Sequence, residues 1–478
     1  MERRTKIVAT YGPAVREEAR LERLLAAGVD VVRLNMSHGE RAEHEWAIAQ
    51  VRAAAARLAR PVALLLDLRG PKIRLGRLAE EPLELSAGQA VFLADGPADP
   101  PSVHPDGGIV LPVEGYPWLH DDVRPGEPVL LDDGAVRLEA IAARPNGVEC
   151  AVVIGGSLSS RKGVNFPMTN LKALAIPTER DWADLDFALA HEIDWVALSF
   201  VRGAAEIRRL RRGMTDRGAR VPVIAKIEKR EALEHLEEIL EAADGVMVAR
   251  GDLGVETELE EVALRQKEII RACNRTGKVV ITATQMLESM MAEASPTRAE
   301  VADVSNAIFD GTDAVMLSGE TAVGRYPVEA VAFMARIAER TDDALAADPC
   351  LAERPYLPGV PDAVAHAACV TARQIDAQAL VCLTRSGLTA KLVSRYRPQC
   401  RIVATSPRPE TVRRLALVWG VQPMLLDERP GGDSQAEDAL ARARAAGLVG
   451  APGRVVITAG VSAGALRGQT NLVRVEEI

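Results

Sequence analysis

Val221-Pro-Val-Ile-Ala-Lys-Ile-Glu228 and, further on, Gly245-Val-Met-Val-Ala-Arg-Gly-Asp252 are the stretches from which the fold is read. Each is a short β-branched apolar run that ends in charge, Lys226-Ile227-Glu228 in the first and Arg250-Gly251-Asp252 in the second. Between them, Leu233, Leu236, Ile239 and Leu240 recur at helical spacing. The pattern is strand, helix, strand, which sets the two strands side by side and parallel. Adjacent strands lie about 4.8 Å apart, so Glu228 and Asp252 can reach one divalent ion while Lys226 points at whatever that ion holds. Lysine, paired carboxylates and a metal are the parts of phosphoryl or enolate chemistry. Charged residues also open many ordinary surface loops, so the two triplets become a site only in company.

Working outward, strand-like runs fall at 6–10, 30–34, 62–66, 195–199, 221–225, 245–249, 278–282 and 314–317, with striped helices between them, such as Leu21, Leu24 and Leu25. Eight such units fit a TIM (β/α)8 barrel, whose active site lies at the carboxyl ends of its strands. A doubly wound open sheet is the competing arrangement. The alternation breaks after the third strand, where turn signals recur at Asp132-Asp-Gly134 and Pro145-Asn-Gly147. This predicts an inserted small β-barrel over 70–175 that leaves the barrel's catalytic end and could close on it as a lid. The barrel then comprises 1–69 and 176–342. A Pro-containing linker follows at 343–361, and 362–478 reads as a C-terminal α/β domain with a mostly parallel sheet.

Composition agrees with a multidomain enzyme. The chain of 478 residues is 48% apolar, enough for real cores, with only 3% aromatics. A net charge of −9 argues against a general nucleic-acid binder. Cys150, Cys273, Cys350, Cys369, Cys382 and Cys400 show no metal-ligand spacing and are expected as reduced thiols. No apolar run approaches the ~18 residues of a membrane span, and a cytoplasmic protein is expected.

The strand ends carry Thr10-Tyr-Gly-Pro13, Arg33-Leu-Asn-Met-Ser-His-Gly39, Asp67-Leu-Arg-Gly-Pro-Lys-Ile-Arg74, the two triplets, Thr282-Ala-Thr-Gln285 and Ser318-Gly-Glu-Thr321. Phosphate and metal chemistry thus converges on one face. The runs RLNMSHG, LDLRGPKIR, AKIEK, VARGDLGVE, TATQMLESM, SPTRAEVADVSNAI and MLSGETAVG resemble the pyruvate kinase family across essentially the whole chain. That resemblance implies transfer of a phosphoryl group from phosphoenolpyruvate to ADP, giving pyruvate and ATP, the last step of glycolysis. It also implies Mg²⁺ (or Mn²⁺), a homotetramer, and regulatory ligands in the last domain.

By the resemblance, Glu228 and Asp252 would hold Mg²⁺, and Lys226 would stabilise charge on the phosphoryl group and the enolate oxygen. Arg33 would bind the phosphoryl group, with Arg74 approaching it or ADP. Gly251 and Asp252 would offer free backbone N–H groups to the substrate carboxylate, with Thr284 beside it. Ser318 and Glu320 would order water in a proton relay, although helix capping explains Ser-Gly-Glu as well. Thr10, Pro13, Asn35, His38 and Lys162 would border the nucleotide. Many family members hold K⁺ at positions matching Asn35, Ser37, Asp67 and Leu68. Here Leu68, Lys72 and Leu75 match the K⁺-independent branch, and an ammonium at Lys72 can supply the monovalent charge. K⁺ is therefore expected not to be required.

In the last domain, Thr384, Ser386 and Thr389 flank a glycine at a helix start and form a candidate cradle for an effector phosphate, AMP or a sugar phosphate. The later loop 460–468 lacks the basic and aromatic set of a strong fructose 1,6-bisphosphate site. An ordinary capped helix is the plainer explanation of the first loop. Two other functions stay open: a Mg²⁺-dependent enolate lyase or aldolase using the same lysine and carboxylates, and a catalytically silent phospholigand sensor.

Overall fold

The computed structural model describes residues 3–78, 80–96, 109–172, 174–347, 356–427, 432–460 and 469–478. Its centre is a closed, all-parallel barrel of β1 (Lys6–Thr10), β2 (Val31–Asn35), β3 (Ala63–Asp67), β4 (Trp195–Leu198), β5 (Val223–Ile227), β6 (Gly245–Ala249), β7 (Val279–Ala283) and β8 (Ala314–Leu317). Each strand pairs with the next, and β8 returns to β1 with Ala314 opposite Lys6. The open-sheet alternative is therefore excluded.

Side-chain parity does the rest. Along each strand, alternate residues face opposite ways. Val8, Val31, Leu65, Ala197, Ile224 and Met247 pack together inside the barrel, while Ile7, Val32, Leu64, Val196, Val223 and Val246 pack outward against the helices. Continuing the inner set upward brings Thr10, Arg33, Asp67, Ser199, Lys226 and Glu228 to the mouth.

Strand ends differ from expectation by one or two residues. β5 begins at Val223 because Pro222 offers no N–H, so Lys226 lies within the strand rather than after it. The helix read over 230–243 is two short ones, Arg230–Glu234 and Leu236–Ala242, parted at His235.

Between β3 and β4 stands a separate seven-stranded sheet, in the order 164–165, 128–131, 136–144, 147–154, 90–95, 109–114 and 74–75. One antiparallel bridge, Arg74 to Gly163, joins its two edges, with Leu75 N–H on Lys162 O at 2.8 Å and Val164 N–H on Ile73 O at 3.1 Å. Its core gathers Leu93, Leu111, Val129, Leu138 and Phe166. The predicted turns hold positive φ at Asp132, Asp133 and Asn146, a conformation that Asp and Asn tolerate better than most residues.

The last sheet runs β11–β10–β9–β12–β13, from β9 (Ala379–Leu383), β10 (Arg401–Ser406), β11 (Val421–Leu425), β12 (Arg454–Ala459) and β13 (Leu472–Glu477). Only β13 is antiparallel. Its alternation of charged and apolar residues is that of a half-exposed edge, which the sequence reading passed over.

The helix Pro327–Ala347 runs into the expected linker, as its alanines favour. The next helix, Val360–Gln374, starts with Pro361 in its first turn. Positions 348–355 of that linker, Cys350 among them, and 461–468 of the late loop lie outside the described residues. Among the described residues no helix is long and apolar enough to cross a membrane.

Candidate functional site

Four charged side chains at the barrel mouth form one bonded chain. Arg33 Nε and Nη2 both reach Asp67 Oδ2, at 2.7 and 2.6 Å. Lys226 Nζ lies 3.5 Å from Asp67 Oδ1, 2.5 Å from Glu228 Oε1, and donates to Ser199 Oγ at 2.8 Å. The second oxygen of Glu228 accepts the N–H of Phe200 at 2.8 Å. Asp67, Lys226 and Glu228 are almost fully buried, whereas Asp252 is exposed.

Burial alone would pull the Lys226 ammonium down, but Asp67, Glu228 and Asp252 outweigh it and raise it above its ordinary range. Burial likewise pushes Asp67 up, and Lys226 and Arg33 more than reverse that. Glu228 ends raised: burial and the nearby Asp252 exceed what Lys226 offsets. Glu228 is raised first by burial, and it and Asp252 stand close enough to repel each other. A divalent ion between them would relieve that repulsion, and two carboxylates suit Mg²⁺, which keeps waters and substrate oxygens. Among the described residues no cluster of three or more His, Cys, Asp or Glu offers an all-protein metal cage.

The third wall is the helix Arg250–Glu256 after β6 and the turn after β7. Gly251 N–H, expected to be free, donates to Thr284 Oγ1 at 2.8 Å. Thr284 and Gln285 hold φ of +67° and +51°, strained for a β-branched residue above all. Arg250 keeps them there, donating to Thr284 O at 2.7 Å and Gln285 O at 3.0 Å while bound to both Asp303 oxygens at 2.8 and 2.7 Å. Glu320 accepts the N–H groups of Leu287 and Ser318, and burial raises its carboxyl. Ser318 does not cap its helix with its side chain, and its buried Oγ has no hydrogen-bond partner.

The expected nucleotide side is gathered less completely. Thr10 is buried beneath Arg33, accepting from Nη1 at 3.1 Å and donating to Leu317 O at 2.9 Å, so its hydroxyl does not open to the surface. Pro13 is exposed, and Asn35 Oδ1 accepts the Ser37 N–H at 3.1 Å. Burial, then Lys72, Arg74 and Arg33, hold His38 below its ordinary value. Arg74 and Lys72 therefore stand at the mouth. Arg74 donates to Arg161 O, and Lys162 pairs with Asp132 on the inserted sheet at 3.0 Å. Lys72 is lowered by desolvation, Arg74 and Lys226, against the pull of Asp252 and Glu228. Leu68 is buried with its N–H on Ala197 O. In the last sheet, Thr384 Oγ1 accepts the Gly387 N–H at 3.0 Å, Ser386 is exposed, and Thr389 turns its hydroxyl inward to Thr470 at 2.8 Å.

Sequence reasoning missed Ser199, the hub role of Asp67 and the bracing by Arg250. The inward parity of Ser199, two residues beyond Ala197, was the available signal for the first.

Comparison with known proteins adds the following. The family model described as pyruvate kinase, barrel domain, matches residues 2–331, and that of the pyruvate kinase alpha/beta domain matches 362–476. The chain is 44% identical over 480 residues to pyruvate kinase 2 of Synechocystis sp., covering 100% of this chain and 79% of the relative. It is 44% identical to the pyruvate kinase of Geobacillus stearothermophilus over 485 residues, 100% of this chain and 81% of that one. The Clostridium acetobutylicum pyruvate kinase is 40% identical, with 99% of each chain covered. A crystal structure of a pyruvate kinase from Cryptosporidium parvum superposes with a TM-score of 0.91 at 33% identity, covering 99% of this chain and 96% of the other.

Proposed function

The chain belongs to the pyruvate kinase family, and from that premise we propose how its side chains divide the work. It is a phosphotransferase acting on phosphoenolpyruvate and ADP. The observation that carries the assignment of roles is the bonded chain Arg33–Asp67–Lys226–Glu228 at the barrel mouth.

Glu228 and Asp252 would hold Mg²⁺ or Mn²⁺, a fit supported by the mutual repulsion of the two carboxylates. Once bound, that ion would offset charge on the substrate carboxylate, enolate oxygen and phosphoryl group. Lys226, kept protonated by three carboxylates, stabilises the charge that spreads over the transferring phosphoryl group and remains on the enolate oxygen. Arg33, held by Asp67 and Thr10, presents its guanidinium to the phosphoryl oxygens. Gly251 and Thr284 receive the substrate carboxylate, which would share or replace their mutual hydrogen bond. A Cβ at Gly251 would meet nothing closer than Thr284 Oγ1 at 3.5 Å, so protein packing does not demand glycine there and close approach of a ligand does. The partnerless Ser318 hydroxyl and the raised Glu320 carboxyl support a route for the proton that turns enolate into pyruvate.

ADP would be met by Arg74 and Lys162 from the inserted lid over 70–175, and by Pro13, Asn35 and His38 from the barrel. Both oxygens of Asp67 already face cations, and Lys72 stands near Glu228 and Asp252, which supports activity without K⁺. The segment 362–478 acts as the regulatory domain, after a linker narrowed from 343–361 by the helices ending at Ala347 and starting at Val360. Thr384 and Ser386 offer a phosphate cradle for AMP or a sugar phosphate. Assembly as a homotetramer and a cytoplasmic setting complete the reading, the latter in keeping with free thiols at all five described cysteines.

The test is ADP-dependent pyruvate release from phosphoenolpyruvate with Mg²⁺, run with and without KCl in a Na⁺-free buffer. Cleavage of a 2-keto acid without ADP would point to the lyase instead. Turnover that appears only on adding KCl would overturn the role given to Lys72.

A further inference from the structure

Glu256 ends the helix Arg250–Glu256, the helix that carries Gly251 and Asp252. It is 3% exposed. Its Oε1 accepts two donors, Lys229 Nζ at 2.7 Å and Asn165 Nδ2 at 3.1 Å. Lys229 directly follows Glu228 at the exit of β5. Asn165 belongs to the return strand of the inserted sheet, three residues beyond Lys162 and beside the Arg74–Gly163 bridge that joins the sheet's edges. One carboxylate oxygen therefore ties the lysine loop, the helix of the carboxylate cradle and the inserted sheet together. The other oxygen, Oε2, is buried with no hydrogen-bond partner.

A buried carboxylate oxygen without a donor is costly. A barrel-internal purpose would be served by the pair with Lys229 alone. The bond to Asn165 reaches out of the barrel to the segment that moves if the lid moves. We propose that Glu256 is a positioning residue that seats the lid's return strand on the catalytic loop, so that Lys162 and Arg74 are held at a fixed distance from Lys226. The inference rests on the lid reading given above. Because Asn165 is an amide, the latch is one charge-assisted hydrogen bond, strong enough to hold and weak enough to open on each turnover. Lys229 keeps the Glu256 carboxylate aimed, so the barrel end of the latch stays set while the Asn165 end opens.

Three variants test it. Asn165→Leu removes only the lid end of the latch and leaves Lys229–Glu256 intact. Asn165→Asp places like charge against Glu256. Glu256→Gln keeps the shape and one acceptor oxygen but loses the charge. The expected result is a rise in KM for ADP of about tenfold for Asn165→Leu, larger for Asn165→Asp and smaller for Glu256→Gln. KM for phosphoenolpyruvate and kcat at saturating ADP should change by less than about twofold. Hydrogen–deuterium exchange should rise over 162–166 in the same order. Equal rises in both KM values, or unchanged KM for ADP with only a lower Tm, would make Glu256 structural and overturn the proposal. The exchange measurement needs no turnover. If the wild-type protein released no pyruvate, the site reading would fail, while exchange at 162–166 unchanged by Asn165→Leu would separately overturn the latch.

Discussion

A lysine nearly sealed from water normally sheds its proton, yet Lys226 is held as an ammonium by Asp67, Glu228 and Asp252. Lys226→Met keeps the volume and removes the charge where, on the proposed assignment of roles, negative charge develops. We expect kcat to fall by about 10²–10³-fold or more, with KM for phosphoenolpyruvate changed far less, read by ADP-dependent pyruvate release. Lys226→Arg should not rescue it, because a planar fork cannot replace a compact ammonium between Ser199 and Glu228. Glu228 makes the second prediction. If Glu228 holds the divalent ion as proposed, proton and ion compete for its carboxylate, and its raised value means the proton leaves later as pH rises. Mn²⁺ affinity should therefore weaken as pH falls through that raised value, and Glu228→Gln should flatten the dependence. Water-proton relaxation during a Mn²⁺ titration measures both.

The turn after β7 stores strain that another element restrains. Positive φ at Thr284 and Gln285 costs on the order of 1–3 kcal/mol each, and the Arg250 guanidinium pins their carbonyls. Asp303, from the helix Arg298–Asp310, orients that guanidinium in turn. Asp303→Ala should loosen the turn without emptying it. The expected outcome is a rise of about tenfold in KM for phosphoenolpyruvate, with faster amide exchange over 283–286. Arg250→Met should do more, since it orphans several carbonyls at about 1–3 kcal/mol each. A folded Asp303→Ala enzyme with unaltered KM would show that the turn stands by itself. The residues of this turn were legible in the motif TATQMLESM, but its brace was not: Asp303 lies 53 positions from Arg250, and no local periodicity links them.

At the opposite end of the barrel, the interior core continues into the C-terminal domain, where Leu415, Leu417 and Trp419 join the cluster that contains Val8, Leu65 and Trp195. Asp194, wholly buried, accepts from Arg52 of the barrel at 2.8 Å, from Leu64 N–H at 2.9 Å, and from Arg413 of the C-terminal domain at 2.7 Å. Asp194→Ala would remove the buried counter-ion of two guanidiniums, leaving Arg413 only the exposed Glu192 at 3.7 Å, and should cost about 3 kcal/mol. A denaturant titration followed by tryptophan fluorescence, with Trp195, whose indole donates to Arg414 O, among the reporters, reads it. A loss below about 1 kcal/mol, the range of a surface pair, would mean that Asp194 adds little to the junction, which Lys6 on Val421 O and Arg397 on Asp313 also bridge.

Short apolar runs ending in charge, with helical stripes between them, were enough to argue eight strands, a barrel and its mouth as the place of chemistry, because strand spacing and the parity of side chains along a strand are local rules. Lys226, Glu228, Asp252 and Thr284 were readable for the same reason, each standing at or near a strand's carboxyl end. Ser199, the double engagement of Asp67, the burial of Thr10, the inward turn of Thr389 and the Glu256–Asn165 contact were not. Each depends on which distant groups meet once the barrel closes and the inserted sheet folds back over it. Asp67 and Ser199 are 132 positions apart, and Asn165 and Glu256 are 91. Pairing at such separations follows from packing of the whole chain, and nothing in the neighbouring residues records it.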